Sequence, residues 1–384
     1  MRSPALRSLN LRRLAASVCF LLPGYVLPTL VLPALILPAL ILPALILPAL
    51  ILPALILPAN VASAADAEPF SIMTWNLEWF YDDFNGDNFS DLAKEMTTPS
   101  RAQWDWRRDA IAQSIATASP SVVALQEVEN RRVLWYLSRA LDREHKQKYT
   151  ELNIESTDHF TEQDVGFLFR SPLDVLSISQ RMQTRQMKAS EQYFNLSKHL
   201  VGVFEVPLGN QTSGGQTETV IVLNVHLRAK AEAEALRIRQ AKLIHYWVAS
   251  AVAAGENVIV LGDFNTEETG DVTRPDSDLG VACGLHTPQT SDDLVDLHSR
   301  IRSPARDTHL LSKSFDRILV SPSLLTDTPG KPDLVFDSIT VRQDLVIRGA
   351  RDTPSQHWDD YWGQPDSDRD LSDHYPVIAK FNVR

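Results

Sequence analysis

Val258-Ile259-Val260-Leu261-Gly262-Asp263-Phe264-Asn265 sets four apolar residues, three of them β-branched, ahead of a glycine and two side chains that carry oxygen. A short branched run closed by such residues reads as a strand buried in a sheet and ending in a turn. Side chains at a strand end sit on a rigid platform, so Asp263 and Asn265 are candidates for a fixed site.

Outward from this stretch the same pattern recurs. Ile72-Met73-Thr74-Trp75 runs into Asn76, Val122-Val123-Ala124-Leu125-Gln126 into Glu127, and Val220-Ile221-Val222-Leu223-Asn224-Val225 into His226. A fifth polar group, Ser372-Asp373-His374, directly precedes the last apolar run. Each residue alone has an ordinary reading: Asn76 as a turn cap, Glu127 as an N-terminal acid of a following helix, and Asp263 with Asn265 as a turn pair. His226 alone reads as a satisfied histidine, and Asp373-His374 as a surface pair. All of these explanations must hold together if the residues are unrelated. One explanation covers them jointly: carboxylates and an amide oxygen are the hard ligands that Mg²⁺, Mn²⁺ or Ca²⁺ takes. Two histidines add proton transfer near neutral pH. A soft-metal site lacks its signatures, since there is no CxxC and no HExxH.

Between these points the chain alternates short strand-like runs with amphipathic stretches. Strands are expected over 71–77, 122–128, 164–170, 201–206, 219–227, 257–265, 316–321 and 375–383, and helices over 102–118, 131–142 and 229–254. Segments 82–99, 208–216, 266–288 and 348–370, rich in Gly, Pro, Asp, Asn and Ser, read as loops. No linker divides the body, which reads as one domain.

The chain of 384 residues has a formal charge of −11, and its first 65 residues hold four arginines and no acid, so the remainder carries −15. Binding nucleic acid by blanketing its phosphates with Lys and Arg is not indicated. If the substrate is a polyanion, bound cations must offset its repulsion; the plainer reading of the charge is solubility outside the cell. With Cys19 in the leader and Cys283 in the body, a processed form has no intrachain disulfide. Basic residues up to Arg13, an apolar run over 14–59 and the small residues Val61-Ala62-Ser63-Ala64-Ala65 read as a signal peptide over 1–65. Its core repeats Leu-Pro-Ala-Leu-Ile from Leu27 to Ala59, and a proline every fifth residue disfavours a plain membrane helix. The expected location is secreted or periplasmic, with membrane attachment only if the leader is retained.

The ordered motifs Thr74-Trp75-Asn76-Leu77, Leu125-Gln126-Glu127-Val128, Asn224-Val225-His226-Leu227, Gly262-Asp263-Phe264-Asn265, Phe315-Asp316-Arg317-Ile318-Leu319-Val320-Ser321 and Ser372-Asp373-His374-Tyr375-Pro376-Val377 resemble the endonuclease/exonuclease/phosphatase (DNase I-like) superfamily. The stretch after His226, with Arg237, Arg239, Gln240 and Ala241, and the segment Trp358-Asp359-Asp360-Tyr361 resemble exported bacterial members, often labelled extracellular nucleases. The resemblance implies an α/β four-layer sandwich over residues 66–384, two packed mixed β-sheets flanked by helices. It implies Glu127 as main metal ligand, helped by Asn76 and Asp373, with Mg²⁺, Mn²⁺ or Ca²⁺ as cofactor. It places Asp263 and Asn265 beside the scissile phosphate, His226 at the leaving oxygen, and His374, oriented by Asp316, as base or phosphate contact. Whether Asp263 or His374 activates water stays open. Arg317 departs from the familiar Tyr or His and is expected to face either the phosphate or solvent.

Three readings follow. The first is a metal-dependent phosphodiesterase, an endonuclease on DNA or RNA. The second is a phosphatase or sphingomyelinase-like enzyme acting on inositol phosphates or lipids, and the third a tethered binding protein without turnover. No obligate protein partner is indicated. The aromatic residues Trp79, Phe80, Tyr81, Trp104, Trp106, Trp358, Tyr361 and Trp362 suit base stacking, lipid contact or core packing.

Overall fold

Alternation along the Val258 stretch sets the layers of the molecule. Ile259 and Leu261 point into one buried cluster, shared with Ile318 and Val320, while Val258 and Val260 point into another, shared with Leu319. A strand with apolar side chains on both faces needs a layer on each side. The computed structural model describes residues 68–209, 215–268, 273–302, 304 and 306–384. The leader and the middle of the 208–216 loop lie outside them. Among the described residues no helix is long and apolar enough to cross a membrane.

The described strands are β1 (Phe70–Phe80), β2 (Val122–Val128), β3 (Thr150–Asn153), β4 (Asp164–Phe169), β5 (Asp174–Ser179), β6 (His199–Pro207), β7 (Thr217–His226), β8 (Asn257–Asp263), β9 (Val295–Asp296), β10 (Asp316–Val320), β11 (Leu334–Val341) and β12 (Val377–Val383). They form two six-stranded mixed sheets, ordered β11-β12-β1-β2-β4-β3 and β5-β6-β7-β8-β10-β9. β1 pairs with β2, and β7 with β8, in parallel; the other pairs are antiparallel. Helices α1 (Arg101–Ala118) and α2 (Arg131–His145) pack Ile111, Ile115, Leu134 and Leu137 with the first sheet. Helix α3 (Glu234–Ala253) packs Leu243, Ile244, Val248 and Val252 against the second. The result is a four-layer α/β sandwich of two mixed sheets flanked by helices.

The eight expected strands and three long helices are present, and α3 starts at Glu234 after a 3₁₀ turn over Ala231–Ala233. Strands β3, β5, β9 and β11 were not expected. β3 and β5 lie at sheet edges, where few faces are buried, and β11 carries a register shift between Phe336 and Ser338 that breaks its alternation. Three segments read as loops contain short helices: Asp91–Glu95, Asp278–Cys283 and Pro354–Asp359. The last has a capping box, with Thr353 and Gln356 each bonding the other's backbone and proline at the first turn.

Gly262 is required where β8 runs beside β7. Its φ is 135°, and a Cβ there would stand 1.9 Å from Val225 O. A larger residue would push β8 off β7 and move Asp263 away from its register partner His226.

A buried polar clamp joins the two sheets just behind the strand ends. Gln126 Nε2 donates to Asn224 Oδ1 at 2.7 Å and to Thr74 Oγ1 at 3.1 Å. Asn224 Nδ2 donates to Leu125 O and Gly166 O, each at 3.0 Å. These three side chains are fully buried, and each lies one or two residues before Asn76, Glu127 or His226. Asn224→Leu keeps the volume but strands the facing donor and acceptors. It is expected to lower unfolding stability by about 3 kcal/mol, read as a lower urea midpoint with unchanged slope. An unchanged midpoint would show that the clamp does not hold the sheets.

Candidate active site

Backbone distortion aims the first side chains. β1 and β2 shift register between Asn76 and Phe80, and Glu78, Trp79 and Glu127 take positive φ of 47°, 50° and 57°. Such conformations cost free energy in non-glycine residues and persist where surroundings enforce them. Arg107 of α1 does so here: its guanidinium donates to the carbonyls of Leu77, Glu78 and Trp79 at 2.8, 2.6 and 3.1 Å. The bulge turns Trp79 N–H onto Glu127 Oε2 at 3.0 Å, and Gln163 Nε2 donates to the same oxygen at 2.7 Å.

Asn76 bridges the two sheets. Its Nδ2 donates to Glu127 Oε1 at 3.1 Å and to Asp263 Oδ2 at 3.0 Å, while its Oδ1 accepts from Glu78 N at 2.9 Å. In this arrangement Asn76 meets the carboxylates with donors, so it clamps them together; a ligand role for its oxygen requires the amide to turn. Asp263 Oδ1 accepts from Asn265 N at 2.8 Å, and Oδ2 accepts from Asn265 Nδ2 at 3.0 Å. His226 Nε2 stands 3.6 Å from both Glu127 Oε1 and Asp263 Oδ2.

On the opposite side, His374 Nδ1 meets Asp316 Oδ2 at 2.8 Å, and its Nε2 points toward Asp263 Oδ2 at 3.9 Å. Asp373 Oδ2 receives Trp358 Nε1–H at 3.3 Å and faces His309 Nε2 at 3.3 Å. All eight residues singled out in the sequence therefore gather at one end of the sandwich. Arg317 does not join them and does not face solvent. It is buried, paired with Asp296 at 2.8 Å and bonded to the carbonyls of Ser314 and Glu268. Its strand neighbours point the other way because side chains alternate across a sheet.

Five further residues belong to this neighbourhood. Lys198 donates to Gln163 Oε1 at 3.0 Å, which positions the amide that holds Glu127. His309 packs edge-on against His374 with ring centroids 4.6 Å apart. His357 links Asp352 Oδ2 at 2.9 Å to Glu78 Oε2 at 2.6 Å, and Glu78 Oε2 accepts from Asp373 N at 3.1 Å. They stand outside apolar runs, Glu78 in the β1 bulge, His357 in the Pro354–Asp359 helix and the others on connecting segments, so the strand-end pattern could not find them.

Burial governs the charges. It pushes Glu127 up to about 7, aided by the Asp373 charge, and Asp263 up to about 6, with His374 opposing and Asp316 assisting. His226 is driven well down by burial and by Lys198 and His374, so it is neutral. For His374, burial opposes protonation, but Asp316, Asp263 and Asp373 outweigh it and hold the imidazole protonated well above its usual range.

These residues suit a hard divalent cation. Asp373 Oδ1 and Asp316 Oδ1 are buried without a hydrogen-bond partner, an arrangement that costs free energy until something positive arrives. Ligand atoms of Glu127, His226 and Asp263, of Asp263, Asp316 and His374, and of His309, Asp373 and His374 form three mutually close groups.

The sequence pattern of the endonuclease/exonuclease/phosphatase family matches residues 73–374, most of the chain, from within β1 to His374. The chain belongs to this family. Its members are, in general, metal-dependent phosphoester hydrolases. No curated protein sequence matches the chain. Similar solved structures include a humanized D. rerio TDP2 carrying 14 mutations, at 14% identity and TM-score 0.49 over 82% of this chain and 100% of that one. The human Nocturnin catalytic domain with bound sulfate aligns at 16% identity and TM-score 0.47, over 82% and 95%. An endonuclease/exonuclease/phosphatase from Bacteroides vulgatus aligns at 17% identity and TM-score 0.46, over 83% and 100%.

Proposed function

We propose that this family member is an exported endonuclease that hydrolyses DNA or RNA phosphodiesters by in-line attack of water and uses Mg²⁺ or Mn²⁺. The observation that carries the reading is the row Asp316, His374, Asp263, with Nδ1–Oδ2 at 2.8 Å and Nε2–Oδ2 at 3.9 Å, beside the unsatisfied Asp373. When held by Glu127 and Asp373, a divalent cation supplies neutralisation of the phosphate and of charge growing on oxygen. Asp263 Oδ2 takes the proton of the attacking water, its lifted pKa making it a better base than an exposed carboxylate. His374, protonated and fixed by Asp316, donates from Nε2 to a phosphate oxygen. Asn265, whose Nδ2 donates to Asp263 Oδ2 and Leu227 O, holds that carboxylate in place and reaches a phosphate oxygen only by releasing one of these bonds, and His226, neutral, presents Nε2 to the leaving oxygen.

Support for a nucleic acid over other phosphoesters comes from Trp358, whose indole N–H bonds Asp373, and from Trp79, whose backbone N–H bonds Glu127: both residues line a pocket beside these carboxylates. Export rests on the leader over 1–65, with the hydrolase in 66–384. Purified secreted protein is expected to begin near Ala65 or Asp66 by mass spectrometry. Offered plasmid DNA, RNA, sphingomyelin and inositol phosphates with Mg²⁺, it is expected to cut nucleic acid alone. Hydrolysis confined to lipid or inositol phosphates would replace the nuclease reading, and inactivity on all four would favour a binding protein.

A further inference from the structure

Of the eight aromatic residues marked in the sequence, Phe80, Tyr81 and Trp104 are buried in the fold. Trp79, Trp358, Tyr361 and Trp362 instead line one pocket of about 530 Å³, with the exposed acids Glu95 and Asp359. The chemistry above does not use this pocket, yet its walls are tied to the site. Trp79 N–H bonds Glu127 at 3.0 Å and Trp358 Nε1–H bonds Asp373 at 3.3 Å. A phosphate held at those two carboxylates has this pocket as its neighbour.

We infer that the pocket is the subsite for the nucleobase next to the scissile phosphate, and that it takes this base unpaired. The inference rests on the nuclease reading and names the part of the substrate that the enzyme grips. The volume suits a base with its sugar. Trp358 is 46% exposed, so part of its indole is free to stack. Four carboxylates, Glu78, Glu95, Asp359 and Asp360, outnumber Arg107 and His357 among the lining groups; the exposed ones disfavour phosphate, which keeps the backbone outside, and accept hydrogen bonds from the exocyclic amines of bases. A quaternary ammonium fits less well. Cages for such cations use ring faces, and here Tyr361 already carries the guanidiniums of Arg107 and Arg369 at 5.2 and 5.6 Å, while Trp362 carries them at 5.9 and 5.3 Å. Those fixed positive charges oppose another cation and leave a neutral base unaffected. A base inside a duplex has its faces covered, so the pocket selects single strands or frayed ends.

The test uses single-stranded oligonucleotides, DNA and RNA, with one cleavable phosphodiester flanked by an ordinary residue or by an abasic one. The natural enzyme is expected to favour the base-bearing substrate by about tenfold in kcat/KM, mostly through KM. Trp358→Ala is expected to bring that ratio near one, and Trp358→Phe, which keeps a ring but loses the bond to Asp373, to restore it. Since the comparison is made within each variant, a general loss of activity does not alter the ratio. Equal cleavage of both substrates by the natural enzyme, or a ratio that survives Trp358→Ala, overturns the base subsite while the nuclease reading stands. Failure to cut any nucleic acid removes both. Cleavage of choline-headgroup lipid in vesicles that Trp358→Ala abolishes assigns the pocket to a quaternary ammonium and overturns the base.

Discussion

His374→Ala is expected to slow phosphodiester hydrolysis by about 10²–10³-fold, the usual worth of a fixed donor aimed at charge developing in the transition state, and to lower the melting temperature while the chain still folds. The ring lies between Asp316 at 2.8 Å and Asp263 at 3.9 Å, and three carboxylates keep it protonated. Its removal deletes the one cation that this row aims at the phosphate and leaves Asp316 and Asp263 facing each other unshielded. Asp316→Asn tests the same link differently. It preserves shape but withdraws the charge that orients and protonates the imidazole, so it should lose much of the same rate without touching substrate. In the natural enzyme, activity should rise as pH climbs through about 6, because Asp263 must shed its proton to act as base. Asp276→Asn, in an exposed loop, serves as the folding and activity control. Wild-type turnover in His374→Ala would remove this residue from the chemistry.

The strand-end side chains were legible because two sequence signals coincide there. An apolar branched run marks a buried strand, and an abrupt polar residue marks its end; parallel pairing of β1 with β2 and of β7 with β8 then brings two such ends together in each sheet, and Asn76 joins the two pairs through Asp263. Asp316 was visible only through its motif, since it begins its strand. Glu78, Gln163, Lys198, His309 and His357 carry no periodicity. Their places depend on long-range closure, such as the 279-residue separation between Glu78 and His357. Arg317 shows the limit of motif reasoning in the other direction. Its sequence neighbour Asp316 faces the site, but one step along a strand reverses the side chain, and Asp296 is what receives it. The Pro354–Asp359 helix was written in Thr353, Pro354 and Gln356, but the surrounding Gly, Pro and Asp outweighed that cap.

Removing divalent cations with EDTA is expected to abolish hydrolysis, and Mg²⁺ or Mn²⁺ to restore it; full activity in chelator would sink the mechanism. Glu127 is where this dependence should be concentrated. Glu127→Gln preserves size and withdraws one negative charge, so half-activation should need at least the roughly 10–100-fold more Mg²⁺ that loss of an outer-shell partner costs. The same substitution has a second consequence for the cation-free protein. Burial and Asp373 lift the folded pKa of Glu127 to about 7 from an ordinary 4.5, so between those values the folded state binds more protons than the unfolded one. Stability of the cation-free protein should therefore fall as pH rises through that window, and the Glu127→Gln variant should lack this part of the slope. Cation binding acts against the same repulsion, so Mg²⁺ should raise the melting temperature of the natural protein near pH 7.5 more than that of the variant. A carboxylate that weakens the empty fold and tightens the loaded one is spent on holding a cation. Identical pH slopes in both proteins would instead make Glu127 a bystander in the packing of β2.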